Sequence, residues 1–492
     1  MKDYTLSAAI EYEAKAAADI RPEERPAYHF SPMVGWMNDP NGFSWYNGEY
    51  HLFYQYHPYR TAWDAMHWGH AVSKDLVHWT YLPAVMAPDQ PYDKMGCFSG
   101  TATTAPDGRH LLIYTGVYLN EEGRECQHQC VAVGDGRTYT KYAGNPVISS
   151  DTLPEELSPY DFRDPKIFKT ENGYRCVMGA CTKAEHHGVI MQYESDDGLH
   201  WKPLGELARN NGEFGSMWEC PDFFPLDGRQ ILSVSPQDML PVEYKYACGN
   251  DTTFFVGDLN EDGTRFTFDK DQPVDYGPDF YAPQTMLTPD GRRVMIGWMQ
   301  NWDSVSHGDE PNLKWHCQMT TVREIHVRDG QLIQQPIREM ESLRKNHIAY
   351  KDIAIDGKCK LEGVRGRVAE LLVTLKTGES ACENFEIHVA ENERFKTIIR
   401  YEPTAQLLTM DRTWSGTRRN FSHQSSCKVE PKNGEITLRI LIDRFSVEVF
   451  AGEGEQAMTM AIRTEASADG ISFHSNGKMK ADIEKYDIVI GE

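Results

Sequence analysis

The chain has 492 residues, which is too many for one small hydrophobic core and suits two domains. Its 73 acidic and 50 basic residues give a formal net charge of −23, so we expect neither nucleic acid nor an anionic membrane surface as a partner. No stretch has the roughly 18–20 consecutive apolar residues that a membrane-spanning helix requires.

The first 27 residues mix acidic residues into a run of alanines, which is typical of a short helix and unlike a secretory signal. We expect residues 1–27 to form a helical extension packed outside the first repeat. The eleven cysteines are odd in number and lack CxxC spacing, which indicates reduced thiols and a cytoplasmic location. No catalytic role for Cys220 follows from the sequence.

Residues 28–333 contain five copies of a longer pattern, and each copy includes an Asn-Gly or Asp-Gly pair flanked by alternating apolar residues. Such pairs supply the positive φ angles that two-residue hairpin turns need. The turn glycines lie 55–65 residues apart and are Gly48, Gly108, Gly173, Gly228 and Gly291. This spacing suits a blade of four strands with lengthened loops, so we predict a five-bladed β-propeller over residues 28–333.

The positions nine residues before the five turn glycines are equivalent among the repeats. They hold Asp39, Ser99, Asp164, Glu219 and Ala282. Three of the five are acidic. If this strand is the innermost one of each blade, the three carboxylates converge at the mouth of the central channel. Buried like charges are costly unless a site uses them, so the shared register indicates a functional site. A single Asp-Pro pair could instead begin a strand for turn reasons alone.

The sequence no longer shows the short alternating runs of the repeats after residue 333. Residues 334–347 (QQPIREMESLRKNH) combine a proline, charges and a helical turn, and we interpret them as a linker. Beyond them strands are longer, as in 436–442, where Ile or Leu at every second position marks one buried face. Six or more such strands without intervening helices predict a β-sandwich over residues 348–492, so the whole chain is expected to be all-β. An exposed face of this sandwich could support a homodimer.

Two carboxylates on either side of a bond are the usual equipment for glycoside hydrolysis. Glu219, which would share the channel mouth with two aspartates, fits the proton donor. Asp39, on a short stem beside Asn38, fits a nucleophile held in a fixed rotamer. Asp164 follows Arg163, whose guanidinium should keep it ionised, so that it could bind ring hydroxyls and stabilise an oxocarbenium-like transition state.

Sugars pack their apolar faces on aromatic rings, and five such rings lie near the repeat starts or in the loops after them: Trp63, Phe98, Trp218, Trp298 and Trp302. Any single one could be a core residue, but as a group they favour a carbohydrate site. The histidines do not form a metal set, because His67-x-x-His70 lies on a strand-like run that suits ligand geometry poorly. We expect neither a metal nor another cofactor.

Seven motifs run through the chain in order: WMNDPNG at 36–42, FYQYHP at 53–58, HWGHAVSKDLVHW at 67–79, FSGT at 98–101, FRDP at 162–165, WECPD at 218–222 and VEVF at 447–450. Together they resemble glycoside hydrolase family 32, the β-fructofuranosidases, which include invertases and sucrose-6-phosphate hydrolases. The resemblance implies a five-bladed propeller followed by a β-sandwich, the fold that the repeats indicate independently.

The resemblance also implies roles for the three acids: Asp39 as the nucleophile, Asp164 as the transition-state stabiliser and Glu219 as the acid/base. The same resemblance implies that eight residues form the walls of the fructose-binding subsite. They are Asn38, Gln55, Trp63, Phe98, Ser99, Arg163, Tyr281 and Trp298.

These features predict a cytoplasmic retaining β-fructofuranosidase that removes terminal fructose through a covalent fructosyl-enzyme. Sucrose, sucrose 6-phosphate and short fructo-oligosaccharides are the three candidate substrates, and the loops between blades would decide among them. One alternative is an inverting propeller glycosidase acting on arabinose or xylose polymers, which the WMNDPNG and WECPD contexts disfavour. Another is a carbohydrate-binding propeller without catalysis, which should lack at least one acid.

Overall fold

The computed structural model describes residues 4–305, 308–309, 312–379, 381–417 and 422–491. Helix α1 (Leu6–Ala17) begins after Thr5, whose hydroxyl accepts a hydrogen bond from the N–H of Ala8. The buried Glu13 on this helix accepts a hydrogen bond from the backbone N–H of Ala84 (2.8 Å), which docks the helix on the first sheet. Within the described ranges, no helix is both long enough and apolar enough to cross a membrane.

Five antiparallel sheets, here called blades I to V, follow the helix. Blade I contains β1 (Gly35–Tyr46), β2 (Glu49–His57), β3 (His67–Ser73) and β4 (Trp79–Met86). Blade II contains β5 (Gly96–Thr104), β6 (His110–Leu119), β7 (Glu125–Gly134) and β8 (Tyr139–Lys141). Blade III contains β9 (Leu157–Thr170), β10 (Gly173–Thr182), β11 (Gly188–Ser195) and β12 (Lys202–Arg209). Blade IV contains β13 (Trp218–Leu226), β14 (Arg229–Pro236), β15 (Thr253–Leu259) and β16 (Phe266–Pro273).

Blade V contains β17 (Tyr281–Leu287) and β18 (Arg293–Trp298), and its outer strands β20 (Arg323–Arg328) and β21 (Gln331–Pro336) follow a long loop. Within that loop, the short β19 (Trp315–His316) pairs in parallel with β1 of blade I. This pairing ties the last blade to the first and closes the ring. Short 3₁₀ helices lie at Pro22–Glu24, Ser150–Thr152, Arg338–Leu343 and Thr377–Glu379.

Each of the five predicted turn glycines joins the first strand of a blade to the second. All five have positive φ angles, between 81° and 137°. In two of these turns the residue before the glycine, Asn47 or Asp227, also adopts a positive φ angle, as a type I′ turn requires. The five-bladed propeller predicted from the sequence is thus confirmed.

The first strands of the blades form the inner wall of the propeller. Each contacts the next, in the order β1, β5, β9, β13 and β17, and β17 contacts β1 again. In all five, the pairing with the second strand is interrupted at or beside the equivalent position found in the sequence. Such β-bulges bend a strand locally and re-aim its side chains. The bulges therefore turn the equivalent residues toward the channel.

The C-terminal sandwich contains ten strands. They are β22 (Arg344–Cys359), β23 (Ala369–Leu375), β24 (Ala381–Glu391), β25 (Lys396–Glu402), β26 (Leu407–Trp414), β27 (Gln424–Lys428), β28 (Ile436–Asp443), β29 (Ser446–Ala451), β30 (Gln456–Ala461) and β31 (Gly470–Ile488). The long strands β22 and β31 pair with each other and run through both layers. The first half of β31 pairs with β24 and the second half with β23, so one strand joins the two sheets.

A buried charge network joins the propeller to the sandwich. His29 Nδ1 lies 2.9 Å from Asp443 Oδ2, and Arg323 donates hydrogen bonds to Glu448 Oε1 and Asp275 Oδ2 (both 2.9 Å). All five side chains are fully buried. We call these five residues the interface network. The sandwich is therefore anchored to the propeller by paired charges as well as by apolar packing.

Candidate active site

Asp39 lies in the bulge of β1, where its carboxylate is held at both oxygens. Asn38 Nδ2 donates to Oδ1 (3.0 Å) and Ser99 Oγ donates to Oδ2 (2.5 Å). Asn38 is oriented in turn by the indole N–H of Trp36, which donates to Asn38 Oδ1 (2.9 Å). Burial raises the pKa of Asp39, the hydrogen bond from Ser99 opposes this, and the nearby charge of Glu219 adds to the increase. The two donors fix the rotamer of this carboxylate.

Asp164 lies in the bulge of β9 with a left-handed backbone (φ 64°), and its N–H donates to Thr115 Oγ1 (2.9 Å). Its Oδ2 accepts a hydrogen bond from the backbone N–H of Cys220 (2.9 Å). The Cys220 thiol lies 3.6 Å from the same oxygen and 3.4 Å from Asp39 Oδ2. One thiol therefore contacts two of the three acids. Sequence reasoning missed this contact, although the position of Cys220 directly after Glu219 placed it close to the site.

Glu219 lies on β13, and each of its carboxylate oxygens has a partner. Arg163 Nε donates to Oε1 (3.0 Å), and the Tyr281 hydroxyl lies 2.7 Å from Oε2. The same hydroxyl lies 2.9 Å from the carbonyl oxygen of Ser235. Because a phenol carries one proton, Tyr281 can donate to the carbonyl and accept from a protonated Glu219, or donate to an ionised Glu219. Both protonation states of Glu219 therefore have a partner.

Arg163 acts on Asp164 through its charge, whereas its hydrogen bonds go to other residues. Its guanidinium donates to Glu219, to Asp161 Oδ1 (3.2 Å) and to Gln127 Oε1 (3.3 Å). Burial raises the pKa of Asp164 to about 7, the charge of Arg163 only partly offsets this, and the carboxylates of Glu219 and Asp39 add to it. Arg163 therefore favours the ionised form of Asp164, as the sequence predicted, but it does not by itself hold the pKa of this carboxyl at its ordinary value.

A cavity of about 620 Å³ opens over the three acids. The predicted residues that line it are Asn38, Asp39, Gln55, Trp63, Phe98, Ser99, Arg163, Asp164 and Glu219. Trp63 is 40 % exposed at the rim and meets Phe98 edge to face, with ring centroids 5.8 Å apart. Gln55 is buried and donates to the backbone carbonyl of Cys97 (3.0 Å). The structure thus gathers nine of the eleven predicted residues around one cavity.

The other two predicted residues lie behind the wall. Tyr281 is almost fully buried and reaches the site only through its hydroxyl on Glu219. Trp298 is fully buried and is not among the residues that line the cavity. Its ring packs against Trp302, with centroids 4.8 Å apart, and Trp302 lines the cavity instead. Trp298 therefore lies behind the cavity wall and packs against one of its lining rings, and its part in the subsite stays a prediction.

The outer wall contains residues that no motif indicated: Glu125, Gln127, Tyr160, Asp161, Gln237, Asn250 and Trp302. Only Asp161 had a local signal, since it lies two residues before Arg163 and alternate residues of a strand share a face. Trp302 was noted as an aromatic residue but was not assigned to the subsite. The others come from strands and loops of three different blades, and only folding brings them together.

A second cavity, of about 690 Å³, lies between blades III and IV and includes Thr170 and Pro225, toward the far ends of β9 and β13. It is larger, but the three converging carboxylates are absent from its lining, so size alone does not mark the active site. In the part of the chain that the structure describes, one group of side chains has metal-ligand spacing, namely His388, Glu391 and His474 in the sandwich. None of these three lines the cavity over the acids.

Comparison with known proteins gives a consistent picture. The family described as "Glycosyl hydrolases family 32 N-terminal domain" matches residues 29–336, and "Glycosyl hydrolases family 32 C terminal" matches residues 339–489. A levanase of Bacillus subtilis is 34 % identical over 511 residues, covering 97 % of this chain and 72 % of the relative. A raffinose invertase of Escherichia coli is 36 % identical over 465 residues, covering 92 % of each chain.

Solved structures of other proteins superpose on nearly the whole of this chain. A family 32 β-fructofuranosidase of Bombyx mori has a TM-score of 0.84 at 32 % identity and covers 98 % of both chains. A sucrose-6-phosphate hydrolase of Lactobacillus gasseri has a TM-score of 0.86 at 29 % identity, covering 99 % of this chain and 97 % of the other.

Proposed function

Because the chain belongs to glycosyl hydrolase family 32 and is a glycoside hydrolase, we propose that it releases terminal β-linked fructose with retention of configuration. The observation that carries this proposal is the convergence of three carboxylates, two buried and one partly buried and each held by hydrogen-bond donors, at one end of the propeller channel. Retaining glycosidases need one carboxylate that attacks and one carboxyl group that gives a proton.

In the first step, the Asp39 carboxylate bonds to the anomeric carbon of fructose as the bond from that carbon to the leaving oxygen breaks. Glu219 gives its proton to the leaving oxygen. In the second step, Glu219 takes a proton from water, whose oxygen bonds to the anomeric carbon and displaces Asp39. The donors Asn38 and Ser99 support the assignment of Asp39, because a nucleophile in a fixed rotamer attacks along one direction.

The partners of Glu219 suit a group that changes its protonation state twice in each cycle. Tyr281 can accept from the protonated form, and Arg163 stabilises the ionised form that exists after the first proton transfer. Asp164 suits the stabilising role. A positive charge that develops on the fructose ring would favour its ionised form, so its pKa of about 7 would fall as the transition state forms.

An inverting glycosidase would use the second carboxylate to activate water rather than to attack. Retention is therefore tested by nuclear magnetic resonance of the first-formed fructose anomer. We expect β-fructose first, with slow conversion to the equilibrium mixture. Observation of α-fructose first would rule out the covalent intermediate on Asp39.

The charges of the cavity favour a neutral leaving group. Five acidic residues line it (Asp39, Glu125, Asp161, Asp164 and Glu219), whereas the basic residue among its lining, Arg163, is already bound to Glu219 and Asp161. A further cation, Arg124, stacks on Tyr160 (4.6 Å from the ring centroid) and pairs with Glu122. An acidic cleft repels anions, so we propose sucrose and short fructo-oligosaccharides as substrates rather than sucrose 6-phosphate.

The test compares kcat/KM on sucrose, 1-kestose and sucrose 6-phosphate. We expect the phosphorylated substrate to be at least roughly tenfold slower, because clefts of one charge sign change encounter rates by this order or more. Glu125→Gln should improve the relative rate on sucrose 6-phosphate, and Glu121→Gln, in the turn that precedes β7, is the matched control. A preference for sucrose 6-phosphate would overturn the substrate proposal but not the hydrolase assignment, and Arg124→Gln would then identify the phosphate contact.

We propose a cytoplasmic location because the cysteines are free thiols. All eleven are free thiols, and eight are buried. Disulfides are rare in reducing compartments, where buried thiols persist unchanged. A homodimer through the sandwich stays a prediction, which sedimentation equilibrium of the purified protein would test.

A further inference from the structure

Away from the channel, three side chains with metal-binding groups meet on one face of the sandwich: His388 and Glu391 of β24 and His474 of β31. We call them the His–Glu cluster. One ligand atom from each, an imidazole nitrogen or a carboxylate oxygen, lies within 4.8 Å of the other two. The two imidazole rings stack, with centroids 4.0 Å apart. Borderline divalent metals such as zinc prefer this combination of nitrogen and oxygen ligands.

The register of the sheet explains why these residues meet. Glu386 pairs with His474 and His388 pairs with Ser472, so all four side chains share one face. On a regular strand Glu391, three residues after His388, would point to the opposite face. The pairing of β24 with β31 shifts between these two residues, and Ala390 adopts a positive φ angle of 49°. This bulge brings Glu391 to the same face as His388.

Hydrogen bonding leaves one nitrogen of His388 available as a ligand. Its Nε2 lies 2.7 Å from Glu386 Oε2, and Glu386 is itself paired with Arg400 (2.7 Å). A carboxylate accepts, so Nε2 carries the proton and Nδ1 carries the lone pair. His388 is 4 % exposed, and its buried Nδ1 has no hydrogen-bond partner. That Nδ1 faces Glu391 Oε1 at 4.0 Å.

A carboxylate that orients a metal-binding histidine through its other nitrogen is a common supporting feature of metal sites. We propose that His388, Glu391 and His474 bind a divalent transition-metal ion of the zinc type, which links β24 to β31. Around a tetrahedral zinc with bonds of about 2.0–2.1 Å, ligand atoms lie roughly 3.4 Å apart, so the His–Glu cluster would close slightly on binding. Three protein ligands leave the fourth position to water.

Two lysines compete with the ion for Glu391. Lys358 Nζ lies 3.5 Å from Oε1 and Lys360 Nζ lies 4.0 Å from Oε2. Both side chains are more than half exposed, so they can turn to solvent when a cation binds. Removing either charge should strengthen metal binding, which is opposite in direction to the effect of removing a ligand.

The test is isothermal titration of the full-length, tag-free, reduced protein with zinc chloride, together with thermal unfolding with and without zinc. We expect one site that Glu391→Gln and His474→Gln abolish, that Glu386→Gln weakens about 10–100-fold, and that Lys358→Gln strengthens. His347→Gln is the matched control, because His347 pairs with Glu484 (2.8 Å) on strands β22 and β31 outside the cluster. Zinc should raise the melting temperature of the wild-type protein, of the control and of Lys358→Gln, and should leave that of Glu391→Gln and His474→Gln unchanged.

Cobalt(II) provides a second readout, since eleven cysteines offer competing ligands. Binding at the His–Glu cluster should give visible d–d bands without a sulfur-to-cobalt charge-transfer band. His388→Gln could fail to fold because His388 is buried, so the half-exposed His474 provides the deciding variant. The proposal is overturned if zinc does not bind below millimolar concentration, or if Glu391→Gln and His474→Gln bind it as well as the wild-type protein.

Discussion

The channel mouth and the domain interface both bury carboxylates, but the pKa values of Asp39 and Asp164 at the mouth shift in the opposite direction to those of Asp443 and Glu448 at the interface. In the channel, burial raises the pKa of Asp39 and raises that of Asp164 to about 7. At the interface, burial acts in the same direction on all three carboxylates, but the partners of Asp443 and Glu448 outweigh it and lower both pKa values to about 2, whereas the pKa of Asp275 stays raised. Burial is therefore not what separates the two regions.

The difference lies in the partners. Asp443 accepts hydrogen bonds from the backbone N–H groups of residues 27–29 and from the ring of His29, whose pKa rises to about 9 against the effect of burial. Glu448 is paired with Arg323. At the channel mouth Arg163, the basic residue in the lining of the cavity, pairs with Glu219, whereas the hydrogen-bond donors to Asp39 and Asp164 are neutral. At the interface, ion pairs stabilise the contact between the two domains. At the channel mouth, Asp39 and Asp164 have no ion-pair partner of their own among the described residues and are available to the substrate.

The largest expected effect is loss of the nucleophile. Asp39→Ala should lower kcat by about 10⁴–10⁶-fold on every substrate, as removal of a nucleophile typically does. Because an uncompensated buried acid is removed, the melting temperature should stay the same or rise. Steady-state kinetics and thermal unfolding of the same preparation provide both readouts. Substantial residual turnover of sucrose would show that another group forms the intermediate.

Loss of the proton donor should depend on the leaving group. General acid catalysis is worth roughly 10²–10⁴-fold, and Glu219→Ala should show this loss on sucrose. An activated β-fructoside, whose leaving group needs no proton, should lose less in the first step, as measured by the burst of released leaving group. External azide should rescue the second step. Equal losses on both substrates would contradict the acid/base assignment.

Breaking the interface network should lower stability and leave activity nearly unchanged, the reverse of the effects expected for Asp39→Ala. Glu448→Gln should cost about 3–5 kcal/mol of unfolding free energy, because Arg323 and His29 lose a buried partner. The kcat/KM of the folded fraction should change little. Since the folded pKa of Glu448 is about 2, its stabilising contribution is present above its unfolded pKa and disappears as pH falls toward 2. Chemical denaturation at pH 7 and at the lowest pH that preserves the fold measures this difference.

The smallest expected effect is a gain in stability, opposite in sign to the loss expected for Glu448→Gln. Asp164 binds more protons in the folded state between about pH 4 and pH 7, so wild-type stability falls as pH rises through that window. Asp164→Asn does not titrate and should be more stable than the wild type at pH 8, with the gain vanishing near pH 4. Its activity should fall as well. A variant less stable than the wild type at pH 8 would show that Asp164 is not an uncompensated charge.

Local sequence determined the propeller and the positions of its acids. The Asn-Gly and Asp-Gly pairs favour positive φ angles at the five turn glycines, and alternation of apolar residues assigns one face of each strand to the core. Counting from the turns therefore placed Asp39, Asp164 and Glu219 in one register, and the bulged inner strands bring their carboxylates together. The motifs added the resemblance to family 32 and most of the inner wall of the cavity.

Only the tertiary structure decided which groups pair. Arg163 is adjacent to Asp164 in sequence but binds Glu219, 56 residues away. His29 pairs with Asp443, which lies 414 residues later in the sequence. The thiol of Cys220 contacts acids from two other blades. Turn and strand patterns act over a few residues, so they carry no information about such partners. Those partners set the charge state of each buried carboxylate, because burial alone raises the pKa of every one of them.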